Sequence, residues 1–429
     1  MAQIPENVLG PITIESLAHG GEGVGRFDGK TMFISGALPG DVVYATIHKS
    51  KKRFAKGLVQ RIAESSPKRV EAQCPHVDVC GGCPWQNYDY AAQLEAKQDI
   101  LVQQLIRLGG LSSEDVPDVE VIHGNPYEYR RTLRLMIRDG AVGYRQQKSH
   151  KLAAVKQCPI VQPKLWQSVA GLVRSLSKIR DGELQATLGD DGKAVAVSVD
   201  VKDNGCYAAA LADRLMNAPG VVSVKIRAAG RVANRGERLL HLEKDLWISP
   251  GGFVQGNREV NRSMVRVVAD WSAQVKPTRC LELYAGSGNF TRILAAELAR
   301  QDGELVAVES VASAVQAARH GSSHWEGGSN IRWITKEVGP GILDAGQKIA
   351  AADLIVLDPP RTGAAEAIPL VKTLCPRAVI SVSCDPATHA RDIKSMRDLG
   401  YRIEKLVMAD QFPHTYHSES LALLQRVKD

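Results

Sequence analysis

Residues 281–291 read LELYAGSGNFT, an apolar strand that passes through a glycine-rich turn into the start of a helix. Glycine lets the backbone approach a ligand closely and adopt conformations that strain other residues. The third glycine of a dinucleotide-binding fingerprint is missing, because Thr291 stands at that position. The stretch therefore predicts a ligand-binding turn between a strand and a helix, without deciding which ligand it holds.

Strands and helices alternate on both sides of this turn, from about residue 252 onward. That alternation predicts an α/β fold with a doubly wound sheet, which binds ligands at the carboxyl ends of its strands. The predicted strands are residues 279–284, 304–308, 331–335, 353–357, 377–383, 402–408 and 421–424.

Acidic residues follow two of these strands. Glu309 ends the second strand, where an acid can bind both hydroxyls of a ribose. Asp358-Pro359-Pro360-Arg361 follows a later strand, and its prolines turn the chain out of the sheet. With the glycine turn, this set resembles the class I S-adenosylmethionine-dependent methyltransferases. An ordinary strand-to-helix turn and a dinucleotide-dependent enzyme are the alternatives.

Cys384 is the candidate nucleophile. It follows the apolar strand 377–383 and precedes a helix, and a helix N-terminus lowers the pKa of a thiol. Glu419, just before the last strand, is a candidate base. The alternatives are a buried apolar cysteine and a surface acid. Cys206, Cys280 and Cys375 lack comparable flanks, and we expect no chemical role for them.

A second group of cysteines lies near the N-terminal third of the chain. Cys74, Cys80 and Cys83 fall within ten residues, and Cys158 follows a basic strand. Four thiolates suit zinc or an iron–sulfur cluster, although the spacing differs from that of paired Cys-x2-Cys zinc ribbons. The remaining alternative is a set of unrelated thiols.

The first 65 residues predict a small β-barrel, because five short strands alternate with turn residues. The predicted strands are residues 12–17, 23–27, 31–35, 41–48 and 57–62. The segment 66–250 follows, with an amphipathic helix at 91–108 and β-hairpins around Asp139-Gly140 and Asp191-Gly192. The domain boundaries expected from these patterns are 1–65, 66–250 and 251–429.

Positive charge is concentrated locally. The formal net charge is +7, yet residues 121–180 hold twelve Lys and Arg against two acids, and another basic run lies at 49–56. Such clusters suit a polyanionic partner, and a solvated basic surface is the alternative that charge alone leaves equally open. We expect no membrane span and no secretory signal. Eight cysteines in a chain this long indicate a reducing cytoplasm.

Taken together, the motifs resemble the RNA uracil-5-methyltransferases over nearly the whole chain, specifically their iron–sulfur-containing ribosomal RNA branch. The motifs that carry the resemblance are GGEGVG at 20–25, GALPGD at 36–41, GFVQGN at 252–257, SCDPAT at 383–388 and HSE at 417–419. Two departures are Tyr284, where many members have phenylalanine, and Asp385, where asparagine is frequent.

The resemblance implies a TRAM barrel that binds RNA, a β-rich central iron–sulfur domain and a Rossmann-like catalytic domain, on which the helix at 91–108 packs by analogy. It implies S-adenosylmethionine and a [4Fe-4S] cluster as cofactors. It implies that Cys384 adds to C6 of uracil and that Glu419 removes the C5 proton. The implied cofactor-binding residues are Gln255, Tyr284, Gly286, Gly288, Asn289, Glu309 and Asp358. The implied cluster ligands are Cys74, Cys80, Cys83 and Cys158.

The expected partner is RNA, with ribosomal RNA favoured over transfer RNA and with no membrane or obligate protein partner. We expect a monomer. Two other functions stay open at this point. One is a methyltransferase of an exocyclic amine, which would not need Cys384, and the other is a non-catalytic iron–sulfur protein that binds RNA or has a redox role.

Overall fold

The computed structural model describes residues 7–147, 149–202, 207–344, 349 and 351–427. The expectations for Lys148, within the basic segment, and for Cys206 fall outside these residues. In the part of the chain that is described, no helix is both long enough and apolar enough to cross a membrane.

The N-terminal strands form a closed barrel in the order β1-β2-β3-β5-β4, which confirms the predicted barrel. Its interior is apolar and includes Ile12, Ile34 and Val43. At the β2–β3 hairpin both Asp28 and Gly29 have positive φ, the conformation that an Asp-Gly turn favours. The strands are β1 Val8–Leu17, β2 Gly23–Phe27, β3 Lys30–Ser35, β4 Val42–Ser50 and β5 Phe54–Glu64.

The C-terminal half forms the predicted doubly wound sheet. Its strands are β16 Arg279–Leu283, β17 Glu304–Glu309, β18 Ile331–Thr335, β19 Leu354–Leu357, β20 Ala378–Ser383, β21 Tyr401–Ala409 and β22 Glu419–Arg426. Its helices are α4 Arg258–Val275, α5 Thr291–Ala299, α6 Ala312–Ser322, α7 Ile368–Leu374 and α8 Pro386–Arg397.

The strand order in this sheet is β18-β17-β16-β19-β20-β22-β21, followed at the edge by β6, Val119–Ile122. The first five strands are parallel, whereas β22 runs antiparallel to both β20 and β21. The order reverses beside β16, and the carboxyl end of such a reversal is where open α/β sheets bind ligands.

Two elements of the segment 66–250 join this large sheet or pack against it. They are helix α1, Tyr90–Arg107, and strand β6, Val119–Ile122. Strand β6 pairs with β21, and Leu101 and Leu105 of α1 are buried in the same cluster as β16 and α8. The three domain boundaries stay a prediction. Within the predicted middle domain, α1 and β6 pack with the C-terminal sheet instead.

The rest of the middle segment builds a second sheet in the order β13-β12-β11-β10-β7-β8-β9. Its hairpins β7–β8 and β10–β11 are those predicted around Asp139-Gly140 and Asp191-Gly192. The strands are β7 Thr132–Arg138, β8 Ala141–Arg145, β9 Leu152–Ala154, β10 Asp181–Leu188, β11 Val195–Val201, β12 Val221–Ala228 and β13 Arg231–Gly236. Helices α2 Pro163–Leu176 and α3 Ala208–Met216 pack on it, and β14 Leu240–Leu242 pairs with β15 Leu246–Ile248.

A buried ion pair fastens α1 to the segment that leads into β22. Lys97 Nζ lies 2.6 Å from Asp410 Oδ1, and neither side chain is exposed to solvent. Lys97 also donates to the Phe412 carbonyl oxygen at 3.0 Å, and the Tyr90 hydroxyl donates to Asp410 Oδ2 at 2.9 Å. The polar groups of this contact therefore have partners, which a buried charge requires.

Lys97→Met should destabilise the chain by about 3–5 kcal/mol, because it leaves the Asp410 carboxylate buried without its cation. Urea unfolding followed by tryptophan fluorescence measures the loss. The double variant Lys97→Met/Asp410→Asn should recover part of it. Lys372→Met, on the exposed side of α7, is the matched control and should change stability by less than about 0.5 kcal/mol. A single variant as stable as this control would contradict the assigned role.

Candidate active site

Cys384 and Glu419 lie at the same edge of the large sheet. Cys384 follows the carboxyl end of β20, and Glu419 begins β22, which runs in the opposite direction. Ser383 pairs with Ser420 across these two strands. Cys384, which follows Ser383, therefore lies across from Glu419, which precedes Ser420. Antiparallel pairing thus places a thiol beside a carboxyl group, although 35 positions separate them in the sequence.

Burial and neighbouring charges set the ionisation of this pair. Burial raises the pKa of Glu419 to about 8, with a further contribution from Asp358, while Arg361 opposes the shift. The lowered pKa expected for Cys384 from the helix N-terminus is wrong: burial raises the pKa of this thiol to about 11, and the Glu419 carboxylate adds to the shift. Glu419 Oε2 has no hydrogen-bond partner among the described residues. A buried acid with a raised pKa next to a thiol is typical of an acid–base site.

A buried histidine, which the sequence analysis did not single out, lies beneath the pair. His389 of α8 contacts the Ser420 hydroxyl through Nδ1 at 2.6 Å and the Ser381 hydroxyl through Nε2 at 3.1 Å. It therefore links β20 to β22 close to the strand ends that carry Cys384 and Glu419. Burial lowers its pKa to about 4, which keeps the ring neutral. In the sequence, its position five residues after Cys384 was the feature that could have pointed to it.

The glycine turn after β16 has the conformation that its sequence predicts. Gly286 and Gly288 have φ of 58° and 95°, and Tyr284 also lies in the left-handed region at 63°. A Cβ at Gly288 would lie 2.4 Å from the Trp325 ring, so only glycine fits there. Among the described residues, apart from its two chain neighbours, none has an atom within 4 Å of a Cβ placed at Gly286, which leaves open space beside the backbone for a ligand.

Glu309 closes one side of this turn. Its Oε2 accepts a hydrogen bond from the Gly286 N–H at 2.9 Å, and its Oε1 accepts one from Val311 N–H at 2.7 Å. Asp358, after β19, stands opposite, and its backbone N–H donates to the Leu283 carbonyl at 3.4 Å. Burial raises the pKa of the Asp358 carboxyl to about 7. The sheet edge therefore gathers Glu309 and Asp358 around the turn.

Asn289 lies nearby, but its side chain has protein partners. Its carboxamide exchanges two hydrogen bonds with that of Asn261 on α4, both at 2.9 Å. The pair fastens the turn to α4.

Glu282 is a further residue that the sequence analysis passed over. It lies inside β16, is 2% exposed, and its Oε2 has no hydrogen-bond partner among the described residues. Burial raises its pKa to about 8, and Asp358 and Glu309 contribute repulsion. In the sequence, the feature that could have pointed to Glu282 was its position as an acidic residue between two leucines of an apolar strand.

The loop that carries Gln255 is braced by the start of β7. The Arg131 backbone N–H donates to the Gly256 carbonyl at 3.0 Å, and Arg131 Nε donates to the Gln255 carbonyl at 3.2 Å. Arg131 is only 2% exposed. It was counted with the basic segment, but its burial removes it from the charged surface.

The four clustered cysteines line one cavity of about 120 Å³. Burial raises the pKa of Cys83 to about 12, and the other three thiols add to that shift. In the described part of the chain, no three His, Cys, Asp or Glu side chains are grouped closely enough to hold a single metal ion. The four cysteines therefore face the same cavity.

An open groove adjoins this cavity. Its volume is about 630 Å³, and its lining includes Gly81, Gly82 and the basic side chains Arg134, Arg145 and His150. Arg134 is 64% exposed and pairs with Glu183 at 3.0 Å. The groove is a candidate nucleic-acid interface, because it presents cations on an accessible surface.

Comparisons with known proteins agree with these observations. The sequence profile of the TRAM domain matches residues 11–59, which lie in the barrel. The profile described as tRNA (Uracil-5-)-methyltransferase matches residues 244–334 and 345–427.

Two curated relatives span almost the full chain. A protein of Alkalilimnicola ehrlichii named 23S rRNA (uracil(1939)-C(5))-methyltransferase RlmD is 33% identical, over 97% of this chain and 96% of that protein. A protein of Pectobacterium carotovorum with the same name is 32% identical, over 96% of this chain and 93% of that protein.

A solved structure shares the fold. It is the Pyrococcus abyssi tRNA (uracil-54, C5)-methyltransferase in complex with S-adenosyl-L-homocysteine. The TM-score is 0.72 at 24% identity, with 96% of this chain and 99% of that chain covered.

Glu419→Gln should stabilise the protein increasingly as pH rises. The unfolded carboxyl releases its proton near pH 4.3, whereas the folded one keeps it to about pH 8, so folding stability falls between these values. The glutamine variant has no carboxyl group at this position, so its folding stability does not fall in this way as pH rises. Its thermal midpoint should exceed that of the parent protein at about pH 8.5 and approach it at about pH 5. The exposed Glu404→Gln on β21 is the control, and an equal difference at both pH values would refute the prediction.

Proposed function

The chain belongs to the RNA uracil-5-methyltransferases, and from this premise we propose that it methylates C5 of a uridine in ribosomal RNA through a covalent Cys384 adduct. The observation that supports the mechanism is the pairing of β20 with β22, which brings the Cys384 thiol beside the Glu419 carboxyl group. The two full-length relatives named for 23S ribosomal RNA support the substrate. Transfer RNA is the alternative substrate.

Both side chains are needed because C5 of uracil is a weak nucleophile. The Cys384 thiolate bonds to C6, the C5–C6 double bond opens, and its electrons move onto the ring as an enolate. C5 then carries electron density and forms the new carbon–carbon bond to the donor's methyl group, while the bond between that methyl group and the donor's sulfur breaks and the donor leaves as a neutral thioether. Glu419 removes the C5 proton, the double bond re-forms, and the thiolate leaves C6. Arg361 is the cation that favours thiolate formation.

S-adenosylmethionine is the methyl donor in this proposal, and when bound it supplies an electrophilic methyl group. The open space beside Gly286 supports a site for the donor's amino-acid end, and Glu309, which borders the turn, would bind the ribose hydroxyls. Gln255, Tyr284, Gly288 and Asp358 complete the proposed pocket. Asn289 shapes the turn through Asn261 in this proposal.

The four cysteines are proposed to hold an iron–sulfur cluster. A zinc ion draws its thiolates to within about 2.3 Å of one point, whereas a cluster of four irons holds them farther apart. The cavity that the four thiols share is the observation that supports a common cofactor. The cluster would be bound by Cys74, Cys80, Cys83 and Cys158 and would fix the wall next to the basic groove. The methyl transfer has no redox step that uses it.

Cys384→Ala should abolish both methylation and the gel-stable adduct with RNA in which 5-fluorouridine replaces uridine. Glu419→Gln should still form a bond to normal RNA and should accumulate the methylated adduct, since proton removal from C5 is blocked. Denaturing gels and mass spectrometry measure both products. Cys375→Ser changes an exposed cysteine and is the matched control.

Methylation by Cys384→Ala at the parent rate would refute the mechanism. Product with an exocyclic N-methyl group would identify the amine methyltransferase instead. Failure to bind S-adenosylmethionine in calorimetry would favour the non-catalytic RNA-binding protein.

Cys83→Ser should lose most of the iron and acid-labile sulfide of protein purified without oxygen, because one cluster ligand is removed. The parent protein should hold about four irons per chain, and Cys375→Ser should hold as many. Metal analysis by mass spectrometry measures the content. One zinc and no sulfide per chain would show a zinc site instead.

A further inference from the structure

The first loop of the barrel contacts both segments of the candidate active site. His19 Nε2 lies 3.1 Å from Asp385 Oδ2, next in sequence to Cys384. Two residues on, Gly21 packs against the Tyr416 ring, which precedes Glu419 by three positions. A Cβ at Gly21 would lie 2.6 Å from that ring, and its φ of 81° also requires glycine. The barrel is therefore part of the wall around the proposed nucleophile and base.

Asp385 has two structural contacts on its two carboxylate oxygens. Oδ1 accepts a hydrogen bond from the Thr388 N–H at 2.8 Å and so caps the N-terminus of α8. Oδ2 accepts one from the His19 ring. The bond to His19 is the first cause that lowers the pKa of Asp385, so the carboxylate is ionised. The turn that carries Cys384 is thus held from the helix side and from the barrel side.

The charges around Cys384 oppose formation of a thiolate. Glu419, Asp358 and Asp385 each raise the pKa of the thiol, and Arg361 lowers it. Asp385 differs from the other two acids because it has a hydrogen-bond donor from another part of the chain, which spreads its negative charge. An asparagine at this position would carry no charge and would need no such partner.

We propose that His19 is a positioning residue for the Cys384 turn: its ring N–H holds Asp385 and offsets the carboxylate charge beside the nucleophile. The contact between the barrel and this turn then affects how readily the Cys384 thiolate forms. This effect is separate from any contact between the barrel and RNA. The proposal rests on the function proposed above for Cys384.

The experiment is a double-variant cycle on the full chain. The probe is a 23S ribosomal RNA transcript with 5-fluorouridine in place of uridine, used with S-adenosylmethionine. At saturating RNA, the single-turnover rate of adduct formation reports the step at Cys384 rather than RNA affinity. His19→Ala should slow this rate by about tenfold, the size expected for loss of a hydrogen bond to a charged group.

Asp385→Asn removes the charge that His19 offsets. In that background, adding His19→Ala should change the rate by no more than about twofold, because no carboxylate is left to compensate. His19→Gln keeps an N–H donor and should keep the rate within about threefold of the parent. Glu15→Gln, on the exposed side of β1, is the barrel control and should react at the parent rate.

A tenfold loss that persists in the Asp385→Asn background would overturn the proposal, since His19 would then act only by docking the barrel. An unchanged rate in His19→Ala, or a Gln variant as slow as the Ala variant, would also overturn it. The failure of the proposed function looks different, because the parent protein itself would then form no adduct.

Discussion

The pairing of β20 with β22 is the constraint on which the proposed chemistry depends. Because β22 is antiparallel within an otherwise mainly parallel set of strands, its second residue, Ser420, pairs with Ser383, the last residue of β20. His389 fixes this register from below through Ser381 and Ser420. A slip by one residue would turn Glu419 to the other face of the sheet.

At the same edge of the sheet lie acidic side chains whose buried environment disfavours the ionised carboxylate. Glu282, Asp358 and Glu419 all have raised pKa values because they are buried. Oε2 of Glu282 and of Glu419 also has no partner among the described residues. These groups lower the stability of the fold, and a chain selected for stability alone would not keep them. Their position around the glycine turn is what makes the edge a reactive site rather than an ordinary end of a sheet.

Two distant parts of the chain support the segment 410–419 that leads to the base. Helix α1 reaches it through Lys97 and Asp410, and the barrel reaches it through Gly21 and Tyr416. The catalytic sheet is therefore not an independent module to which a barrel and a helix were attached. Both additions pack against the residues that fix the active-site geometry, while the cysteine cavity and its basic groove are built on the second sheet.

The sequence by itself determined the barrel, the doubly wound sheet and the family, because strand alternation, Asp-Gly turns and the turn at 281–291 are local patterns. It also singled out Cys384 and Glu419 by their motifs. Only the tertiary structure decided that β6 joins the large sheet, that Arg131 is buried and that His19 contacts Asp385. These facts join residues far apart in the chain, and local periodicity carries no information about which distant surfaces meet.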